Sequence, residues 1–216
     1  MSFIIAIQLK DSLILAADHQ KTTLDLADPQ SVQQSHASKI HSWEQGLISG
    51  VGEALMLTGA VGLFNANPQK DLSALPSCLT LSRQLRVQAL GFEHAQFNLT
   101  RLFCTQYTPT GAQLYQIDAA LPYRLSPLKP DTLSVFIFEP NLDHIAQALQ
   151  QLQAGLRAFS SFSSQQDWVQ YYLRAIANIF YLQHQHDSSM SQSFDIVFQN
   201  ADQCLSAYIE NSSIQK

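Results

Sequence analysis

The sequence predicts an α+β fold in which sheets pack on one another as well as on helices. Three observations predict it. Apolar runs come in hairpin-like pairs at both ends of the chain. Helical periodicities are grouped between these pairs and do not alternate with single strands, which argues against a parallel sheet. Both hairpins are apolar on two faces, so neither face is suited to water.

Taken in order, the runs over 3–9 and 13–17 are rich in Ile and separated by Lys10-Asp11-Ser12, and they read as a buried hairpin. Residues 18–38 are polar, with Pro29 and several Gln, and read as an extended loop. Two short strands follow over 39–43 and 46–51. After Gly50-Val51-Gly52, residues Ala54, Leu55, Leu57, Ala60, Val61 and Phe64 fit one helical face that ends near Asn67-Pro68. Residues 69–96 are ambiguous apart from a candidate helix over 79–90. Strands over 99–107 and 113–118 flank Thr108-Pro109-Thr110-Gly111, which reads as a turn, and 133–138 is a compact apolar strand. Leu142, Ile145, Leu149, Leu152 and Leu156 recur at helical spacing. Ser164 and Asp167 then stand three apart like an N-terminal cap, ahead of a stripe from Trp168 to Ile179. Strands over 194–199 and 205–209 close the chain.

The 216 residues are 46% hydrophobic and 13% charged, with 12 basic against 17 acidic residues and net charge −5. This size suits one domain over 1–216 with a sizeable core, and the composition excludes a disordered chain. Without a Lys/Arg cluster, nucleic acid and anionic membranes are poor partners. No apolar run approaches the roughly 18 residues that cross a bilayer. The first twenty residues lack a cationic n-region and cleavage site, so no secretory signal is expected. Cys78, Cys104 and Cys204 are odd in number and lack metal or redox spacing. A reducing, cytoplasmic setting without metal or cofactor is therefore the expectation.

The N-terminal hairpin, with Lys10-Asp11-Ser12 leading to Ala16-Ala17-Asp18, resembles the opening of proteasome β-type subunits and their bacterial relatives, which are N-terminal nucleophile (Ntn) hydrolases. Ser2 stands sixteen residues before Asp18, as a nucleophile of that family would. Its small side chain permits removal of Met1. Asp18-His19-Gln20-Lys21-Thr22 is similar to the family's Asp-x-Arg-x-Thr, Lys39-Ile40 to its lysine pair, and Ser49-Gly50-Val51-Gly52 to its Gly-rich turn. Gln113 to Asp118 resembles a Leu-Tyr-x-Ile-Asp strand, and Asp187 an Arg-Asp-x-x-Ser-Gly motif. The likeness spans the chain and is weakest over 69–96.

The resemblance implies a four-layer αββα sandwich of two antiparallel sheets, with helices outside. It also implies a homo-oligomer of rings or stacked rings and, by analogy, an unfolding ATPase partner. The implied reaction is amide hydrolysis through an acyl-Ser intermediate. Ser2 would supply hydroxyl and α-amine together, the amine having a reference pKa of about 7.7–8.0. Lys39 would depress that amine, Asp18 would hold Lys39, and the Gly50 N–H would face the oxyanion. Asp187 with Ser189 or Ser191 would hold the amine. Thr22 and Ile48 would contact substrate.

Each residue also has a plainer reading. Ser2 follows the initiator in many proteins, Asp18 can end a strand, Lys39 can be a surface lysine, and Gly50 and Gly52 can merely turn strand into helix. His184 and His186, two apart, suit solvated histidines better than a metal site. Trp168, Tyr171, Tyr172, Phe180 and Tyr181 suit helix packing better than a ligand cage. Three departures from the family pattern stand out. Gln20 replaces an Arg, Phe138-Glu139-Pro140-Asn141 replaces a Gly-Ser-Gly, and Met190 falls where a Ser is expected unless Ser191 serves. A self-compartmentalised peptidase, a non-catalytic relative with an assembly or binding role, and a small-substrate amidase are the three readings.

Overall fold

The computed structural model describes residues 2–24, 32–109, 111–137 and 142–211. Strands β1 (Phe3–Gln8) and β2 (Leu13–Asp18) form the expected hairpin, and every residue of both is buried. They occupy the middle of a five-stranded antiparallel sheet in the order β10-β1-β2-β11-β12. Its other strands are β10 (Thr132–Ile137), β11 (Phe194–Gln199) and β12 (Cys204–Ile209). A central position with both faces covered explains why these two segments read as continuous apolar runs.

A second five-stranded antiparallel sheet has the order β5-β6-β7-β8-β9. It comprises β5 (His41–Trp43), β6 (Gly46–Val51), β7 (Arg101–Thr108), β8 (Gly111–Ile117) and β9 (Leu125–Pro127). The third sheet is a two-stranded ribbon, β3 (Gln20–Leu24) paired with β4 (Val32–His36). Four helices complete the described residues: α1 (Ala54–Ala66), α2 (Leu75–Leu90), α3 (Ala146–Ala154) and α4 (Gln165–His186).

This architecture corrects the four-layer αββα sandwich of two sheets. The described residues form a mixed fold of three antiparallel sheets and four helices. The ribbon comes from the segment expected to be an extended loop. Its Gln, Thr and Ser residues offer no apolar stripe, and what orders it is backbone pairing, with Gln20 opposite His36 and Thr22 opposite Gln34. The departure expected at Phe138-Glu139-Pro140-Asn141 lies outside the described residues.

Three apolar clusters hold the elements together. Phe3, Ile5 and Ile7 of β1 meet Trp168, Tyr172, Ile176 and Phe180 of α4 in the first. Ile4 and Ala6, on the opposite face of β1, meet Phe103 and Leu114 in the second. Met56, Ala60 and Phe64 of α1 meet Leu75 and Leu79 of α2 and Leu102 of β7 in the third. At about 1.5–3 kcal/mol for each fully buried large apolar side chain, these clusters dominate the stability.

Helix ends follow local chemistry. The Ser164 hydroxyl accepts the Asp167 N–H at 3.1 Å and caps α4 as the sequence predicts. Helix α2 starts at Leu75, four residues before the expected 79, with Pro76 in its first turn where no N–H is needed. Met190, at the position where the resemblance calls for Ser, is buried in the α4 cluster.

Candidate active site

Asp18, the last residue of β2, has no exposed surface. Its Oδ1 accepts the Phe3 N–H at 2.7 Å and its Oδ2 the Gln20 N–H at 3.0 Å. The Lys39 ammonium donates to Oδ1 as well, closing a buried ion pair. One carboxylate thereby ties the first strand, the start of β3 and the residue two before β5 together. Burial pushes the Lys39 amine below its ordinary range. Asp18 opposes that shift through its charge and hydrogen bond, and the Lys21 ammonium adds to it.

Ser2, Lys39, Gly50 and Ile48 line one cavity of about 380 Å³ measured out to open solvent. Leu57, Val61 and Leu102 form its apolar wall. The lining includes Ser49 and Gly50, on the stretch of β6 that runs past the start of β5. His41, the first residue of β5, pairs with Ile48. Among the described residues no strand pairs with 49–51 on that side.

Two glycines allow the close packing here. A Cβ on Gly50 would come within 2.6 Å of the Arg101 carbonyl oxygen and 2.8 Å of Leu57 and Leu102. Gly52 has φ +121°, and a Cβ there would come within 2.6 Å of the Thr100 backbone. Directly after it, Glu53 caps α1: its Oε2 accepts the Met56 N–H at 2.6 Å. The same carboxylate receives Arg86 of α2 through two hydrogen bonds, Nε to Oε2 at 3.2 Å and NH2 to Oε1 at 3.1 Å. A buried fork thus fixes the turn that carries Gly50.

The other predicted residues lie elsewhere. Asp187 ends α4, and its Oδ1 accepts the Ser189 N–H at 2.9 Å and the Ser189 hydroxyl at 2.6 Å. The Ser191 hydroxyl accepts the His19 N–H at 2.9 Å and donates to the Ser193 carbonyl at 2.7 Å. Neither residue lines the Ser2 cavity. Thr22 is placed on β3 by its backbone alone, and its side chain, like Met1, is outside the described residues.

Two basic lining residues had no role assigned from sequence, Lys21 and His41. Burial lowers the affinity of both for a proton, and the Lys21 charge lowers His41 further. Lys21 lies three residues after Asp18, inside the segment that drew attention by resemblance. Its place on a ribbon strand was the missing signal. His184 sets its ring against the Met190 carbonyl at 2.6 Å, and His186 stacks on His144 with centroids 3.9 Å apart. No cluster among the described residues could hold a metal ion. No described helix is long and apolar enough to cross a membrane.

The class defined by these elements is a fold, three antiparallel sheets with four helices, and it occurs among solved structures. It is similar to a Gly-1 mutant of Anbu from Hyphomicrobium sp. strain MC1, at TM-score 0.69 and 14% identity over 99% of this chain and 90% of that one. It is also similar to Anbu of the same strain in another crystal form, at TM-score 0.64 and 11% identity over 98% and 88% of the two chains. Anbu (ancestral beta-subunit) from Yersinia bercovieri matches at TM-score 0.66 and 11% identity over 97% and 88%. No protein-family model matches the chain, and no curated protein matches it in sequence.

These findings correct the resemblance drawn from sequence. The likeness is to Anbu and, at 11–14% identity, it is a likeness of fold alone. Assignment to the proteasome β-type Ntn hydrolases does not follow. Short motifs such as Lys39-Ile40 and Gly50-Val51-Gly52 fit any chain that needs a buried lysine or a tight strand-to-helix turn. Their order along this chain therefore carried less weight than it promised.

Proposed function

We propose that the chain is a peptidase whose nucleophile is Ser2, freed at its amine by removal of Met1. The observation that carries this reading is the convergence of Ser2, Lys39 and Gly50 on one cavity, with Lys39 paired to the buried Asp18. The Ser2 amine takes the proton of its own hydroxyl while Oγ attacks the peptide carbonyl carbon. The Lys39 ammonium keeps that amine low enough in pKa to be partly neutral near pH 7. The Gly50 N–H stabilises the developing oxyanion, a donor worth about 2.7–4 kcal/mol. Collapse expels the leaving amine, which carries off the proton, and water then hydrolyses the acyl-Ser ester. Asp18 acts as a positioning residue through Lys39.

Intact mass and covalent labelling test this. The purified protein should lack Met1 and should gain one equivalent of a β-lactone or peptide boronate at Ser2, and Ser2→Ala should abolish both labelling and turnover. A Met1-free protein that takes no label would refute it. A second reading, a non-catalytic protein that keeps the fold for assembly or binding, is favoured by Asp187 and Ser191. Both spend their hydrogen bonds away from Ser2. Turnover of small amides without peptides would instead favour an amidase. Association of several copies belongs to each reading. The outer edge of β12, with Tyr208 57% and Leu205 39% exposed, supports it, and native mass measures it.

A further inference from the structure

We propose that Lys21 makes the cavity beside Ser2 selective for a carboxylate side chain, that of Asp or Glu, next to the bond to be cleaved. This rests on the reading of Ser2 as nucleophile. Lys21, Lys39 and His41 all line the cavity. No carboxylate is among the lining residues; Asp18, which pairs with Lys39, is wholly buried and already bonded to the backbone N–H groups of Phe3 and Gln20 as well. Glu53, beside the lining residues Gly52 and Ala54, is turned to Arg86 and the Met56 N–H. Among the described residues no carboxylate pairs with Lys21.

Among the described residues, the two lysines that line the cavity have one carboxylate between them, Asp18, and Lys39 holds it. Lys21 is half-buried, and burial alone, with no compensating acid, accounts for its depressed affinity for a proton. Its charge also bears on Lys39 and on His41, which line the same cavity. A partly desolvated cation without a counter-ion is what an incoming anion stabilises most. The Leu57, Val61 and Leu102 wall suits the methylenes of such a side chain, while its carboxylate completes the missing pair with Lys21. A lysine or arginine side chain would instead meet a second cation and be rejected.

The test uses Met1-free protein and N-acylated fluorogenic tripeptides that differ only in the residue before the cleaved bond: Glu, Asp, Gln, Asn, Leu or Lys. Glu and Asp peptides should exceed their Gln and Asn isosteres at least tenfold in kcat/KM. Lys21→Met should bring that ratio to within twofold, and Lys21→Arg should retain it. Calorimetric binding of the uncleaved Glu and Gln peptides provides a reading independent of chemistry, with the same tenfold difference expected and the same loss in Lys21→Met. Equal turnover or equal binding of the Glu and Gln peptides, or binding of neither, would overturn the inference. With β-lactone labelling of Ser2 intact, such a result leaves the nucleophile standing. Absence of labelling instead removes the nucleophile, and the binding comparison still decides on Lys21.

Discussion

Replacing Asp18 with Asn keeps the side chain's size and removes its charge, which isolates what the buried carboxylate does. Oδ1 receives two donors, the Phe3 N–H and the Lys39 ammonium, and Oδ2 receives the Gln20 N–H. The Asn oxygen will take the Oδ1 position, where two donors compete for it. Its NH2 group then faces the Gln20 N–H, donor against donor. One buried N–H loses its acceptor at about 1–3 kcal/mol. The Lys39 ammonium, 4% exposed, loses its counter-ion. Breaking such a pair from one side costs about 3–5 kcal/mol in all. For a chain of this length that corresponds to a fall in Tm of roughly 6–20 °C. Urea unfolding of Asp18→Asn, Lys39→Met and the double variant measures the loss, and the double-mutant cycle should give a coupling above about 1 kcal/mol. A loss below about 1 kcal/mol for Asp18→Asn, or no coupling to Lys39, would refute the reasoning.

Three further predictions follow from the same geometry. Because the Lys39 amine lies below its ordinary 10.5 when folded, the unfolded chain binds the extra proton between the folded value and 10.5. The stability of the wild type relative to Lys39→Met should therefore rise as pH increases through that window, measured by urea unfolding at stepped pH. Glu53→Gln should cost about 3–5 kcal/mol, because it leaves Arg86 buried without its partner; circular dichroism melts against wild type measure this. Asp11 accepts the Phe159 and Ser160 N–H groups, each at 2.9 Å, and so ties the first hairpin to the segment between α3 and α4. Burial raises its carboxyl, and these bonds together with Ser12 outweigh that and leave it below 3.8. Asp11→Ala should cost about 1–2 kcal/mol at neutral pH. That difference should vanish as pH falls from about 3.8 through the lowered folded value, as paired unfolding curves would show.

Much of the scaffold was legible in the amino-acid order. Strands β1 and β2 are apolar runs up to their last residues, Gln8 and Asp18, and are buried throughout, and α4 carries its own cap in Ser164. Such signals are local, since strand burial and helix capping depend on residues a few positions apart. Ser2, Asp18, Lys39 and Gly50 were singled out by the resemblance, and taken one at a time each has a plain structural reading. The ribbon of β3 and β4 was not legible, because Gln20, Thr23 and Gln33 present no apolar period and pairing of the backbone supplies the order.

Charge pairing is decided by distance in space, and there the tertiary structure alone speaks. Glu53 and Arg86 are 33 positions apart and meet because α1 packs on α2. Asp187 and Ser191 looked like site residues in sequence, yet the turn after α4 folds their hydrogen bonds into itself and onto the His19 backbone. Lys21 and His41 drew no role in sequence, and the cavity takes the first from β3 and the second from the start of β5. The order of residues thus determined the buried first hairpin and the capped helix α4. Only the packing of separate elements decided which charges find partners, because a Coulomb interaction depends on separation and burial and not on position along the chain.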